Sequence, residues 1–292
     1  MQENNKRRPS FKDYLNLVKI RLSLAVSFSA ATGYLLLDSD PGFDFAFLLA
    51  GILLLTCGSS SLNQYTEREQ DAVMKRTMNR PAASGAISGD SALAISAFLI
   101  TAGSLLLFIT GIRPFILGCS GVILYNLFYT YLKKVTPFAI IPGALVGSVP
   151  PLIGYTSAGG TILKDQIILF AVFMLLWQIP HFLLLLLRYG KEYREAGFKT
   201  FYDWLNTRQI KMIATFWMII SCVFLVSYTY YREVFEPPVS LAVFILTIVF
   251  LTIYLVSMVS RDAEKGLKYS FAIINLYSFL LMILLIAGSF VS

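Results

Sequence analysis

Charge is what this chain has least of. Only 14% of its 292 residues are charged and 57% are hydrophobic, whereas a soluble domain carries about 25% charged residues. That balance excludes an ordinary soluble globular protein. Cysteine is scarce too: Cys57, Cys119 and Cys222 lie far apart, each inside an apolar run. They form no C-x-x-C spacing and no disulfide frame, so they read as small buried hydrophobes. Acids are outnumbered, 17 to 24 bases, for a net charge of +7. In a soluble protein that excess would suggest nucleic acid. Here the bases are first of all topology signals, and no nucleic-acid partner is expected.

What the chain has in abundance is apolar runs of roughly 20 residues, the length that spans a bilayer. Nine candidate spans lie near 17–37, 44–65, 91–111, 114–133, 138–158, 165–188, 210–230, 238–259 and 268–290. Lipid offers backbone groups no partner outside the segment, so such spans are helices. The expected fold class is all-α, a polytopic membrane protein with nine transmembrane helices. Residues 1–13 read as a flexible cytoplasmic N-terminus and 14–292 as one transmembrane domain. A cleaved leader is the rival reading of the first run. It is too long for one and carries Lys19 and Arg21 near its start.

The bases test the count. With the N-terminus cytoplasmic, 21 of the 24 Lys and Arg fall on the cytoplasmic side, Lys6, Arg7 and Arg261 among them; only Arg113, Lys164 and Arg232 fall outside. One span more or fewer would scramble that alternation, which predicts an N-in, C-out chain in a bacterial cytoplasmic membrane. The two longest cytoplasmic connections, about 66–90 and 189–209, also hold Glu67, Glu69, Asp71, Glu192 and Glu195. Topology has no use for acids, and long connections between packed elements are usually functional.

Asn63, Glu67 and Asp71 are spaced i, i+4, i+8, so a helix continuing through them would line them on one face. Their oxygens suit a hard cation such as Mg²⁺, which takes one or two carboxylates plus substrate phosphates. Lys75, Arg76 and Arg80 follow closely, and arginine grips phosphate oxygens with two donors at once. Pro81 then ends the helical stretch. Acids for a metal followed by bases for phosphates suit a magnesium–diphosphate site at a membrane surface. The alternative from spacing alone is a solvated helix end laced with i, i+4 ion pairs.

Three stretches carry a resemblance. They are N-Q-x-x-E-x-x-x-D-x-x-M-x-R-T-x-x-R-P from Asn63 to Pro81; Tyr129 to Lys134 leading into Pro137, Gly143, Gly147 and Pro150-Pro151-Leu152-Ile153-Gly154; and Trp177-Gln178-Ile179-Pro180-His181-Phe182 ahead of Tyr193 and Ala196-Gly197. In this order they resemble the protoheme IX farnesyltransferases (heme O synthases), within the UbiA-like intramembrane prenyltransferases. The resemblance implies a central pocket opening to the cytoplasmic side. It also implies transfer of a farnesyl group from farnesyl diphosphate to a vinyl of heme B, with Mg²⁺ as cofactor. Heme A synthase or oxidase assembly proteins are implied as partners beside the lipid bilayer.

The resemblance assigns Asn63, Glu67, Asp71 and Glu192 to the metal and to catalysis. The candidate diphosphate partners are Lys75, Arg76, Arg80, Lys133 and Arg188. The candidate acceptor residues are His181, Trp177 and Tyr193. Tyr125, Phe128, Tyr129 and Tyr131 are candidates to face an allylic cation, although aromatics also belt membrane interfaces. His181 is the only histidine, so bis-histidine heme ligation within one chain is excluded and heme would be a passing substrate. Gly143 and Gly147 read as close helix packing, and Pro150-Pro151 as a kink in the pocket wall.

Departures from the family pattern fall mostly in the acceptor half. Glu192 stands where Asp is usual, Ala139 where Asn is common, Leu183 to Leu187 where residues are small or polar, and Phe198-Lys199-Thr200-Phe201 where Met-Leu-Pro is usual. Two rivals keep the fold: prenyl transfer to another aromatic such as a quinone precursor, and a non-catalytic heme-handling assembly factor. A transporter is a third reading, disfavoured because no charge sits mid-span.

Overall fold

A computed structural model describes residues 8–37, 40–260 and 262–290. Lys6, Arg7 and Arg261, counted above, lie outside these described residues. Among the described residues all regular structure is helical. The chain begins with a short helix α1 (Phe11–Leu17), followed by α2 (Ile20–Leu35), α3 (Phe43–Thr66), the short α4 (Arg68–Val73) and α5 (Gly89–Thr110). Next, α6 (Ile112–Ile123) runs through a π-helical turn (Leu124–Tyr129) into α7 (Thr130–Val135). The chain closes with α8 (Ile140–Ser157), α9 (Asp165–Glu195), α10 (Thr207–Tyr231), α11 (Pro237–Met258) and α12 (Ala263–Ser289).

Every expected span has its helix. Among the described residues, eight segments are long and apolar enough to cross a membrane, Ile112–Val135 being one continuous unit. The ninth, α2, has 16 residues. It is short because the chain breaks at Lys19, which takes a left-handed backbone (φ 46°, ψ 51°). A non-glycine residue held there costs about 1–3 kcal/mol. The first span is therefore a helix–break–helix rather than one rod. The stretch read as a flexible tail also holds structure from Phe11 on, where Ser10 and Asp13 cap α1 reciprocally.

The helices pack in chain order, and α12 returns to α2 to close the ring. Two cores result. One joins α2, α3, α5, α6 and α8 around Tyr34, Ile52, Leu55 and Ile153. The other joins α9 to α12 around Phe173, Trp177, Tyr254 and Tyr277. Lipid gives helices little hydrophobic reason to associate, so close approach through small residues does that work. A Cβ on Gly154 would lie 1.8 Å from the Ala30 carbonyl oxygen, and one on Gly33 would lie 2.0 Å from that of Pro151. These two glycines set the α2–α8 crossing.

The Gly143/Gly147 pair packs closely as well, as its spacing predicts, but against side chains. Gly143 makes room for the rings of Tyr129 and Phe182, and Gly147 for the side chain of Gln178. It admits side chains from neighbouring elements instead of a backbone. Pro150 and Pro151 are buried within α8, and they are not among the residues that line the cavity described below, against the expectation that they form part of its wall.

Gly154→Ala is expected to cost about 3 kcal/mol by overpacking, whereas Gly42→Ala, with open space around it, is expected to be nearly neutral. Thermal unfolding of the two purified variants in detergent checks this. Equal midpoints would mean that the α2–α8 contact is not close-packed.

Candidate active site

All the chemistry gathers at one end of the bundle. There α2, α5 and α8 begin, and α3, α7 and α9 end. A cavity of about 210 Å³ opens between them, with Lys19, Asn63, Glu67, Asp71, Arg76, Arg80, Lys133 and Lys199 on its polar side. Tyr125, Tyr129, Ala139, Ile140, Phe182, Leu183 and Leu186 form its aromatic and apolar side.

Asn63, Glu67 and Asp71 reach the cavity together although their helix breaks. Helix α3 ends at Thr66 and α4 restarts at Arg68. Glu67 N–H still donates to the Asn63 carbonyl at 3.0 Å, and Asp71 N–H to the Glu67 carbonyl at 2.8 Å. The i, i+4 register therefore survives the break and keeps the three side chains in one row. Helix α4 then ends at Val73, eight positions short of Pro81, and the Thr77 hydroxyl caps the Asp71 carbonyl at 3.0 Å.

The row is buried, at 2%, 3% and 1% exposure, so each charge needs a partner. Arg80 Nη1 donates to both oxygens of Asp71 at 2.8 Å. Lys133 pairs with Glu67. Asn63 Nδ2 donates to Glu67 Oε1 at 2.7 Å, and Lys19 Nζ donates to Asn63 Oδ1 at 2.9 Å. The strained backbone of Lys19 thus aims its ammonium into the row.

The π-helical turn supplies the facing aromatic wall. It stacks Tyr125 on Tyr129, with ring centroids 5.6 Å apart, and the Lys133 ammonium lies 5.0 Å from the Tyr129 ring centroid. The roof comes from the end of α9. Gly197 (φ 83°) allows the left-handed turn that closes the helix. Its N–H donates to the Arg194 carbonyl, and that of Phe198 to Tyr193, both at 3.0 Å. The chain doubles back over the cavity, where Lys199 N–H is pinned to the Lys133 carbonyl at 3.1 Å.

A second contact joins the two halves. Glu192 Oε2 accepts from Arg76 N–H at 3.0 Å, Arg76 Nη2 donates to Tyr193 Oη at 3.1 Å, and the Arg76 guanidinium lies 4.9 Å from the Tyr189 ring centroid.

The UbiA prenyltransferase family model matches residues 25–290. This chain belongs to that family. It is 39% identical over 183 residues to a protein of Oleidesulfovibrio alaskensis named protoheme IX farnesyltransferase, covering 62% of this chain and 65% of that relative. A Flavobacterium psychrophilum protein of the same name is 26% identical over 96% of this chain and 95% of its own length. The solved structure of a UbiA homolog from Archaeoglobus fulgidus, bound to GPP and Mg²⁺, superposes with a TM-score of 0.75 at 15% identity. The superposition covers 96% of this chain and 98% of that one, and shows a common fold. The chain is an integral, multi-pass membrane protein of the UbiA family.

Within this UbiA chain the expected residues divide. The cavity collects Asn63, Glu67, Asp71, Arg76, Arg80, Lys133 and Tyr193. It does not collect Lys75 and Arg188, which are exposed; the Arg188 guanidinium lies 5.0 Å from the Tyr189 ring centroid. Glu192 is turned to the Arg76 backbone instead of facing Glu67 and Asp71. Trp177 donates its indole N–H to the Ile274 carbonyl at 3.1 Å. His181 sits 5.0 Å from the rings of both Trp177 and Phe271. Both belong to the α9–α12 interface, with Phe182 facing the cavity in their place.

The donor set is all hard oxygen and fits a magnesium-like ion. Among the described residues no cluster of three or more Asp, Glu, His or Cys could hold a metal. With two carboxylates and one amide, the remaining coordination falls to substrate and water. Sequence reading missed that Lys19 reaches Asn63 in the acid row and that Phe198–Phe201 line the cavity. The only signal for the roof was that these positions depart from the family pattern.

Asp71→Ala leaves the partly buried Arg80 without its partner and is expected to cost about 3 kcal/mol. Asp71→Ala/Arg80→Ala should cost less than the sum of the single changes. Denaturant unfolding of the four proteins measures this coupling, and strictly additive losses would show that the pair is not coupled.

Proposed function

We propose that this chain transfers a farnesyl group from farnesyl diphosphate to a vinyl group of heme B, giving heme O. Two kinds of observation support the reading. Relatives that align over long stretches carry the name protoheme IX farnesyltransferase. The cavity also combines a buried acid–amide row, a set of cations and an apolar, aromatic wall, which are the three surfaces that a prenyl diphosphate needs. The second observation carries the prenyl-diphosphate half of the proposal, and the names of the relatives carry its heme half.

Breaking the C1–O bond of the allylic diphosphate sends its electron pair onto the leaving group and leaves an allylic cation. Mg²⁺, when bound by Asn63, Glu67 and Asp71, supplies charge neutralisation for that leaving group. Arg80, Lys133, Lys19 and Arg76 bind the phosphate oxygens and stabilise the charge that develops on them. Tyr125 and Tyr129 offer ring faces to the cation, while Ala139, Ile140, Leu183 and Leu186 house the hydrocarbon tail. The roof at Phe198–Phe201 limits the access of water until the new C–C bond has formed. The vinyl π electrons then make that bond, one water adds to the resulting cation, and its proton leaves to solvent.

The membrane is a bacterial cytoplasmic membrane, with the N-terminus inside, the C-terminus outside and the cavity at the cytoplasmic end. The distribution of the 24 bases supports this orientation. Residues 14–292 act as one transmembrane unit. Its product goes to the next enzyme of heme modification, a heme A synthase, or to oxidase assembly. A second reading retains the diphosphate chemistry but takes another aromatic acceptor, such as a quinone precursor. It is favoured by the position of Trp177 and His181 outside the cavity lining.

Membranes containing the protein, given heme B, farnesyl diphosphate and Mg²⁺, are expected to form hydroxyethylfarnesyl heme, read by mass spectrometry. Asp71→Ala should lower turnover at least about 100-fold, and chelation of Mg²⁺ should stop it. Diphosphate release without any heme product would overturn the acceptor assignment in favour of the second reading.

A further inference from the structure

The oxygens meant for a metal are already spoken for by cations of the chain itself. Asn63 Oδ1 accepts from Lys19, Glu67 is paired with Lys133, and Asp71 is gripped on both oxygens by Arg80. Three donors thus face three internal cations. The cavity as a whole carries five bases (Lys19, Arg76, Arg80, Lys133 and Lys199) against two acids (Glu67 and Asp71). A bare divalent cation entering it meets a net positive field and has to compete with these bases for its ligands. A diphosphate meets the opposite situation, because its oxygens are alternative acceptors for those same bases. The side chains of Lys133 and Arg80 keep 19% and 23% of their surface exposed, so both can swing onto an incoming anion while the helices stay in place.

We propose that Lys19, Lys133 and Arg80 are placeholder cations, so that a divalent metal is taken up only together with a diphosphate. The anion draws the bases off the carboxylates, and the carboxylates then accept the metal. The inference rests on the diphosphate reading and adds an obligatory coupling to it. Because binding linkage is reciprocal, metal and diphosphate each raise the affinity of the site for the other. The internal ion pairs also keep the buried acids compensated between turnovers.

The test needs no turnover. Full-length protein in lipid nanodiscs is dialysed against Mn²⁺ with and without equimolar inorganic pyrophosphate, and retained Mn²⁺ is counted by electron paramagnetic resonance. Retained Mn²⁺ is expected to rise about tenfold with pyrophosphate. Lys133→Gln, and separately Arg80→Gln, should raise Mn²⁺ retention in the absence of pyrophosphate. Size exclusion and thermal melting identify any variant that fails to fold, and the wild-type comparison stands without them. Wild-type protein that fills one Mn²⁺ site equally well without pyrophosphate would overturn the proposal while leaving the diphosphate site intact. Retention of neither Mn²⁺ nor pyrophosphate under any condition would overturn both the proposal and the diphosphate reading.

Discussion

Two carboxylates buried among membrane helices are the constraint on which the rest of this structure turns. An isolated buried carboxylate is so costly that it neutralises or finds a partner. Glu67 and Asp71 find Lys133 and Arg80, and those partners come from different elements. Lys133 is delivered by α7 and Arg80 by the loop after α4, while Lys19 reaches in from the break before α2 to hold Asn63. The pairing knits the end of the bundle together and leaves a cavity with an excess of positive charge. Buried ion pairs add little net stability over apolar packing. Under the proposal above, both bases would pass to an incoming diphosphate.

The fold serves that cluster by local departures from regularity. A rigid α2–α8 crossing, set by Gly33 and Gly154, holds one wall. Elsewhere the helices deviate where they meet the cavity. The left-handed Lys19 aims an ammonium inward, the break at Glu67 lets the acid row turn without losing register, and the π-helical turn brings Tyr125 and Tyr129 onto one face. The glycine turn at Gly197 folds the roof over the top. Irregular backbone in a membrane protein is tolerated where it lines a cavity, and these irregularities cluster there.

Much of this was legible in the chain. Long apolar runs located every span, because hydrocarbon thickness and backbone satisfaction leave few alternatives. The row at Asn63, Glu67 and Asp71 followed from helical spacing alone, and it survived a helix break because the hydrogen-bond register did. Side-chain direction was not legible. Whether His181 and Trp177 face the cavity or the α9–α12 interface depends on the rotation of α9, which the near-uniform apolar run from Phe182 to Leu187 does not encode. Glu192 was assigned to the metal by the family resemblance. Its actual partner, the Arg76 backbone, lies 116 positions away in sequence. The Gly143/Gly147 spacing announced close helix packing, and the residues opposite decide that side chains fill it.

The central claim is that the cations now on Glu67 and Asp71 are the diphosphate's own binding groups. A structure of the protein with Mg²⁺ and a non-cleavable farnesyl thiodiphosphate tests it most directly. The account predicts phosphate oxygens on Lys133 and Arg80, with the metal on Glu67 and Asp71. Intact Glu67–Lys133 and Asp71–Arg80 pairs, with the diphosphate bound elsewhere, would contradict it.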